Sequence, residues 1–334
     1  MRLGIALVPL LAGWTALSSA QRGPASHSDA LVRKGRELFT RVWTVNDGLG
    51  PLVNARRCAG CHAGPKTGGS GTHERSFVSV MPALPDGSGG RVFRRLRIST
   101  TGAIDEELPP MSAALRRASS LLGSGLLESI PADEISAGAA DLGTLGRIPQ
   151  GRYGWKGHLR NIEEATAAAF ANELGMSSAM FAEPAGPPAE LSPSQITSVA
   201  AFIRSLPPIT GGTPLSDQSG RQLFNRLGCA TCHRPSFPSL DQQKAFPYTD
   251  LLLHDMGPML ADGIAQGFAS GSDFRTPPLW GIAKTGPPYL HDGRARTLHD
   301  AITAHGGEAE ESAAAYQKLR EVDRAAVLAF LRSL

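Results

Sequence analysis

The four cysteines of this 334-residue chain constrain its fold more than any other feature. They form two pairs of one pattern, with two residues between the cysteines and a histidine directly after: Cys58, Cys61 and His62, then Cys229, Cys232 and His233. This spacing is typical of covalent haem attachment, because both thiols reach the vinyl edges of one porphyrin while the histidine ligates its iron. The sequence therefore predicts two haem c groups with His62 and His233 as proximal ligands.

Other uses of paired cysteines fit the sequence less well. A structural zinc site needs its pairs close together, whereas about 170 residues separate these two. Disulfides occur in exported proteins but would not need a histidine after each pair. A thioredoxin-like redox pair would lie beside a βαβ pattern, which the sequence lacks. A structural thiol or zinc protein without haem is therefore the weakest hypothesis, and an assay for covalent haem decides it.

The composition suits a chain built around large cofactors. Aromatic residues make up only 6% of the sequence, which contains 38 glycines and 25 prolines. Hydrophobic residues account for 41% and the formal net charge is +3, which argues against disorder and gives no nucleic-acid footprint. Two porphyrins would supply apolar surface that the side chains do not. We therefore expect the chain to fold poorly without haem.

The first 20 residues have the pattern of a secretory signal peptide. Arg2 precedes an apolar run from Leu3 to Leu17, and the small residues Ser18 and Ala20 follow. The run is shorter than the roughly 20 residues of a membrane span, so we expect no stable span, with an uncleaved anchor as the alternative. The mature chain is predicted to start at Gln21 and to be periplasmic or secreted.

The order of motifs repeats along the chain. A G-R-x-L-F turn occurs at 35–39 and 220–224, upstream of each cysteine pair. Segment 157–165 aligns with 293–301 at an offset of 136 residues, and both contain a glycine turn followed by a helix start. We predict three parts: a signal peptide at 1–20, an N-terminal cytochrome c-like haem domain at 28–206, and a C-terminal one at 214–334.

The fold is predicted to be mainly α, with two cytochrome c-like haem domains, long loops and a small β insertion in the first domain. Strands are expected at 77–80 and 92–98, around a glycine-rich turn at 86–90. Helices are expected at 194–206 and 321–334, and the second of these closes the C-terminal domain.

Several segments together resemble one protein family. They are 48–58, 151–156, 170–176, 253–258, 274–281, 289–294 and 305–308. These segments resemble the di-haem oxidoreductase family of peroxidase-like proteins, relatives of the bacterial di-haem cytochrome c peroxidases, over nearly the whole mature chain. The resemblance implies two α-helical cytochrome c-like domains whose haems face one interface.

The resemblance also implies a distal ligand for the second haem. In the related peroxidases this ligand follows the H-D-G-R turn, here 291–294, and is usually methionine. His305 stands at that position in this chain. Pairing of His233 with His305 implies a lower potential than a His/Met iron has. The alternative ligands are Met256, Met259 and His254.

At the first haem, the related peroxidases place a displaceable distal histidine in the loop after the motif. The candidate here is His73, with His158 and Met111 as alternatives. The same relatives carry a tryptophan between the haems as an electron relay. Trp155 matches it, and His291 is its partner in the internal repeat.

Peroxide chemistry also needs a distal group that takes up and returns a proton. The related peroxidases use a glutamine and a glutamate, which align with Ala165 and Gly175 in this chain. Glu173, two residues from Gly175, is the candidate substitute for the glutamate. The resemblance also implies a calcium ion near the interface, although the sequence has no compact acidic cluster to hold it.

The sequence therefore predicts an exported di-haem c-type cytochrome with electron transfer and peroxidase-type oxidoreductase activity at the first haem. The alternative is a non-enzymatic di-haem electron carrier. Either would exchange electrons with a small cytochrome, a cupredoxin-type protein or a small-molecule oxidant, and we expect no nucleic-acid partner. A first haem that reacts with peroxide favours the enzyme. Two low-spin irons that are inert to peroxide and cyanide favour the carrier.

Overall fold

The computed structural model describes residues 29–71, 76–82, 90–99, 101–141, 146–182, 189–209, 218–241 and 245–334. The predicted signal peptide, His73 and most of the predicted turn at 86–90 lie outside the described residues. Within the described ranges, no helix combines the length and the apolar character that crossing a membrane requires.

Helices predominate in the described chain. They are α1 Asp29–Thr40, α2 Ser124–Ser129, α3 Ala132–Asp141, α4 Ile162–Leu174, α5 Pro193–Arg204, α6 Gln218–Arg226, α7 Cys229–Cys232, α8 Pro238–Asp241, α9 Gly257–Leu260, α10 Ile282–Thr285, α11 Leu298–Thr303, α12 Glu310–Gln317 and α13 Glu321–Ser333. Short 3₁₀ turns cover Val45–Asp47, Cys58–Gly60 and Gly307–Ala309. The helices predicted at 194–206 and 321–334 correspond to α5 and α13.

The glycine of each G-R-x-L-F segment permits a close helix crossing. A Cβ on Gly35 of α1 would lie 1.9 Å from the Ser198 carbonyl oxygen of α5, and one on Gly220 of α6 would lie 2.2 Å from the Ala326 oxygen of α13. Side chains next to each crossing repeat as well. The ring centroids are 5.2 Å apart for Phe39–Phe202 and 5.3 Å apart for Phe224–Phe330. The repeated sequence segment therefore builds the same helix pair twice.

A second repeated unit leads into α4 and α11. Bridges at Tyr153–Leu159 and Tyr289–Ala295 close the two glycine turns, and each turn ends at an N-cap residue. Asn161 caps α4 by accepting from the Glu164 amide, and Thr297 caps α11 by accepting from the Asp300 amide. Every member of this unit has its counterpart 136 residues along the chain, as the sequence predicts.

The predicted β insertion is present in the first half and consists of short strands. These are β1 Leu52–Val53, β2 Phe77–Met81, β3 Arg91–Phe93, β4 Leu96–Ile98, β5 Ile104–Glu106 and β6 Ala114–Arg117. They form two antiparallel sheets of order β1-β4-β5 and β3-β2-β6. The segment predicted as one strand at 92–98 is split, because the Arg95 amide donates to the Asn54 side chain between β3 and β4. In the second half, β7 Leu253–Asp255 pairs with β8 Asp273–Arg275.

Three clusters of buried apolar residues hold the described chain together. One packs against Cys58 in the first half, and a second packs against Cys229 in the second half. The third combines Leu127, Ile130 and Ile135 from the first half with residues of 237–280 from the second. The two halves therefore share a core, and the exact domain boundaries stay predictions.

Candidate haem sites

Each motif histidine has one ring nitrogen engaged and one available. His62 Nδ1 lies 3.0 Å from the Ser119 carbonyl oxygen, and His233 Nδ1 lies 3.0 Å from that of Tyr248. Because a carbonyl only accepts, Nδ1 carries the proton and Nε2 keeps the lone pair that an iron needs. Burial lowers the pKa of both rings, that of His233 to about 4, so both are neutral at pH 7.

The four cysteines are free, half-buried thiols. Burial raises the pKa of Cys58 and Cys61 to about 12 and that of Cys229 to about 11. A helical turn brings each histidine four residues after the first cysteine, with the His62 amide donating to the Cys58 carbonyl. Unpaired thiols beside a histidine whose Nε2 is available fit a c-type haem at each motif.

A cavity next to the first motif joins the proximal histidine to α4. Its lining includes Cys58 and His62 together with Ala165, Thr166 and Ala169 of α4, and most of its other lining residues are apolar. Ala165 stands where the related peroxidases are expected to have glutamine, and its methyl group offers no hydrogen bond. Ala169 is exposed, and the space it faces is this cavity.

The internal repeat makes Ala169 the counterpart of His305. The offset that superposes the Asn161 and Thr297 caps also places position 169 over position 305. An imidazole in the second half thus corresponds to a methyl group in the first. Sequence reasoning missed this residue, although extending the aligned segment by four residues would have found it.

His305 lies two residues after the end of α11 and directly follows its C-cap residue, Ala304. Its Nδ1 is 2.7 Å from the Ala301 carbonyl oxygen, which leaves Nε2 free. Burial accounts for most of the low pKa of His233, and the charge of His305 lowers it further. His305 therefore keeps its place as the predicted ligand of the second haem.

The alternative ligands differ in their surroundings. Met259 is 74% exposed and Met111 is fully exposed, whereas Met256 is half-buried and stays an alternative. His254 has a carboxylate at each ring nitrogen, Asp250 on one side and Glu308 on the other. His158 has a buried Nδ1 without a hydrogen-bond partner among the described residues, but it is not part of the cavity lining.

Glu173 is the carboxylate that the structure places near the first motif. It lies one helical turn after Ala169 in α4, and its Oε2 accepts from Asn54 Nδ2 at 2.8 Å. Burial raises the pKa of Glu173 to about 7, although Asn54 and Arg94 act in the opposite direction. Burial is the main cause of the raised pKa of Cys61, and the charge of Glu173 raises it further.

Position 175 cannot hold a glutamate in this backbone. Gly175 ends α4 with φ +63°, and a Cβ there would lie 2.6 Å from the Leu52 carbonyl oxygen. The carboxylate expected at 175 is therefore sterically excluded. Glu173 is the acidic side chain that α4 can direct to this region.

Trp155 and His291 lie in contact between the two halves. Trp155 Nε1 donates to the Arg117 carbonyl at 2.7 Å, and the Arg117 amide donates to the His291 carbonyl at 2.7 Å. The His291 ring also stacks on Phe274 with centroids 4.0 Å apart. The structure thus brings together the pair that the repeat singles out, and it adds Arg117 as a link that sequence reasoning missed.

A buried ion cluster beside this pair joins the halves. Lys156 is fully buried and its Nζ lies 3.2 Å from Asp262 Oδ1, while Arg116 binds the same carboxylate. Burial lowers the pKa of Lys156 to about 8. Nothing in the sequence near 156 indicates a partner more than 100 residues away, so only the structure reveals this contact.

In the described part of the chain, one group of side chains that includes a cysteine of the second motif has the spacing of metal ligands. Its members are Cys232, Asp250 and His254, with ligand atoms within 4.8 Å of one another. A thiol and an imidazole do not suit calcium, which prefers oxygen ligands. The calcium ion stays a prediction.

Comparisons with solved structures give the overall fold. The chain is similar to hydrazine synthase from Kuenenia stuttgartiensis, with a TM-score of 0.53 and 16% identity over 100% of both chains. A MauG-like protein associated with microbial copper homeostasis matches with a TM-score of 0.49 and 21% identity, over 94% of this chain and 91% of that one. A variant of the diheme peroxidase BthA from Burkholderia thailandensis matches at 0.42 and 14%, over 91% and 85%.

Comparison at the sequence level gives the family. The sequence matches none of the curated proteins. Residues 208–334 match the family described as "Di-haem oxidoreductase, putative peroxidase". This range contains the second motif, His291 and His305, and haem is the cofactor that the family implies. The match confirms the resemblance over residues 208–334, so the C-terminal part of the chain is similar to the di-haem oxidoreductase family.

Proposed function

We propose that this protein is an exported di-haem c-type cytochrome that reduces peroxide at its first haem with electrons delivered through its second. The observation that carries this proposal is the pairing of Ala169 with His305 in the internal repeat. One half offers an imidazole at the distal position, and the other offers a methyl group beside a cavity. The first site is therefore built to admit a small ligand, whereas the second is built to exclude one.

A haem held by Cys58, Cys61 and His62 would supply the redox chemistry for peroxide reduction. The reaction consumes one hydrogen peroxide, two electrons and two protons and yields two waters. The electrons come from a redox protein of the small cytochrome or cupredoxin type. The chain must then supply a group that moves a proton from one peroxide oxygen to the other.

Glu173 is suited to this proton transfer. Asn54 holds its Oε2, so the carboxylate has a fixed orientation and Oε1 is left for the proton. A pKa of about 7 lets the carboxylate take up and release a proton near neutral pH with little cost in either direction. Ala165 supplies no polar group, and the Thr166 hydroxyl of the cavity lining donates to the Ile162 carbonyl oxygen, so we assign the proton transfer to Glu173, one helical turn beyond the lining residue Ala169.

Electron delivery uses the contact between the halves. The hydrogen bonds from Trp155 through the Arg117 backbone to His291 form a continuous path from the first half to the second. Two-histidine ligation of the second iron would lower its potential, which favours donation of electrons toward the first haem.

The experiment compares holoprotein carrying Ala169→His with wild type. The new imidazole reproduces the second site in the first, so the wild-type high-spin signal should disappear and the peroxide reaction should slow by about 100-fold or more. Asn172→His is the control, since it adds an imidazole to an exposed position of the same helix outside the cavity lining. Wild-type protein with two low-spin irons that are inert to peroxide would refute the proposal and establish the electron carrier instead.

A further inference from the structure

A buried histidine beside the second motif contacts groups from three segments. His254 is 2% exposed, and its Nε2 lies 2.9 Å from Asp250 Oδ2. Its Nδ1 lies 2.6 Å from Glu308 Oε2 and 3.6 Å from Cys232 Sγ. A carboxylate oxygen only accepts a hydrogen bond, so the ring nitrogens that face Asp250 and Glu308 both carry protons and donate. Burial favours the neutral ring, whereas the hydrogen bond to Asp250 acts in the opposite direction and contributes to a raised pKa of His254.

This geometry suits a fixed link better than a metal site. A metal ligand needs a ring nitrogen with a free lone pair, whereas each nitrogen of His254 faces a carboxylate oxygen. Cys232 is committed to haem attachment, so it is not a metal ligand in the holoprotein. The cluster is a bridge between carboxylates on two separate loops.

The first of these loops begins at His305. Glu308 follows it by three residues, and its second oxygen accepts from the Asp255 amide at 3.1 Å. The intervening backbone packs tightly on the same strand, since a Cβ on Gly307 would lie 2.2 Å from the Asp255 carbonyl oxygen. The position of the segment after His305 is thus set by its contacts with 254–255.

The second loop orients the proximal ligand. Tyr248 accepts the hydrogen bond from His233 Nδ1, and Asp250 follows two residues later. Tyr248 and Leu251 are both buried with left-handed backbone, at φ 53° and 62°. Such conformations persist in bulky residues only where surrounding contacts hold them. The bond from Asp250 to His254 is one of those contacts.

We propose that Asp250, His254 and Glu308 form a clamp that positions His305 over the second iron and couples it to the loop orienting His233. This inference rests on the proposed function, in which His305 is the distal ligand. None of the three residues touches the iron or a substrate, so they are positioning residues. The clamp holds both axial ligands through one connected set of contacts.

The test measures how fast external imidazole displaces the distal ligand of the second haem in holoprotein carrying Glu308→Gln or Glu308→Ala. Loss of a buried charge-assisted hydrogen bond should speed displacement by about tenfold or more in the alanine variant, and the glutamine variant should fall between it and wild type. The midpoint potential of the second haem should rise in the same order. Glu311→Gln removes the same charge from an exposed position nearby and should change neither quantity.

Asp250→Asn tests the other end of the clamp. This variant replaces the Glu308 variants in the test if they incorporate haem poorly. It should speed the same displacement, because the described hydrogen bonds connect Asp250 with the His305 segment through His254. Wild-type displacement rates in the Glu308 and Asp250 variants would overturn the clamp, as would an equal acceleration of ligand binding at the first haem. Failure of the ligand assignment is distinguishable: His305→Ala would then leave the low-spin spectrum of the second haem unchanged.

Discussion

Trp155 and His291 meet edge to face across the junction of the two halves, with their ring centroids 6.3 Å apart. They occupy equivalent positions in the internal repeat, so the junction is formed by the same turn from each half. Their backbones and side chains are also linked by hydrogen bonds through Arg117. This contact connects the two haem-binding halves directly.

Replacing Trp155 with phenylalanine should slow electron equilibration between the haems. The change removes the Nε1 donor, breaks the path at its first bond, and leaves the Arg117 carbonyl unpaired at a cost of about 1–3 kcal/mol in unfolding free energy. Rapid partial reduction followed by spectroscopy of each haem measures the rate. Trp43→Phe is the matched control, because the buried Trp43 Nε1 has no partner among the described residues. Equal rates in Trp155→Phe and wild type would remove Trp155 from the path.

Replacing Glu173 with glutamine should lower the rate of peroxide reduction by about 10²–10⁴-fold, since glutamine cannot accept a proton. Wild-type activity should fall as the pH drops below about 7, where the carboxylate becomes protonated. The variant should lose this pH dependence. Glu37→Gln, an exposed carboxylate in α1, is the control and should behave as wild type.

The same carboxylate predicts a pH effect on stability. Its pKa is raised by burial from 4.5 to about 7 in the folded chain, so the folded state binds the proton more tightly than the unfolded state does. The stabilising contribution is complete below about pH 4.5 and is lost as the pH rises to 7. Chemical denaturation of wild type and Glu173→Gln across this range should show the difference in unfolding free energy changing with that sign. A constant difference would contradict the raised pKa.

Alanine at Gly35 or Gly220 should destabilise the corresponding half. The added methyl group would overlap a backbone oxygen of the crossing helix, so the helices must move apart at a cost of about 1–3 kcal/mol or more. Thermal unfolding of holoprotein measures the effect. Gly138→Ala in α3 is the control, because its Cβ would meet only the end of the Arg234 side chain. Unchanged melting temperatures for Gly35→Ala and Gly220→Ala would show that the crossings can relax.

The parts of the site that the sequence predicted are those encoded by short segments. The haem motifs need only five consecutive residues each, and the turn before α4 recurs intact before α11. The ion pair between Lys156 and Asp262 could not be predicted from the sequence, because no local pattern links two charged residues so far apart in the chain. Glu173 is a candidate that the family resemblance suggests, whereas the exclusion of a glutamate at 175 follows from the left-handed backbone of Gly175, which only the structure reveals. The prediction of one strand at 92–98 is wrong because the Arg95 amide donates to the Asn54 side chain and is not available to a continuous strand ladder.

The third cluster of buried apolar residues limits when the N-terminal half can finish folding. Leu127, Ile130 and Ile135 are made early in synthesis, but the residues that bury them, such as Phe237 and Trp280, follow roughly 100 residues later. During synthesis, the N-terminal half therefore exposes an apolar surface until the rest of the chain has been made. We expect that cutting the chain between its halves yields two fragments that aggregate separately, and that a chaperone or bound cofactor protects the first half during this interval.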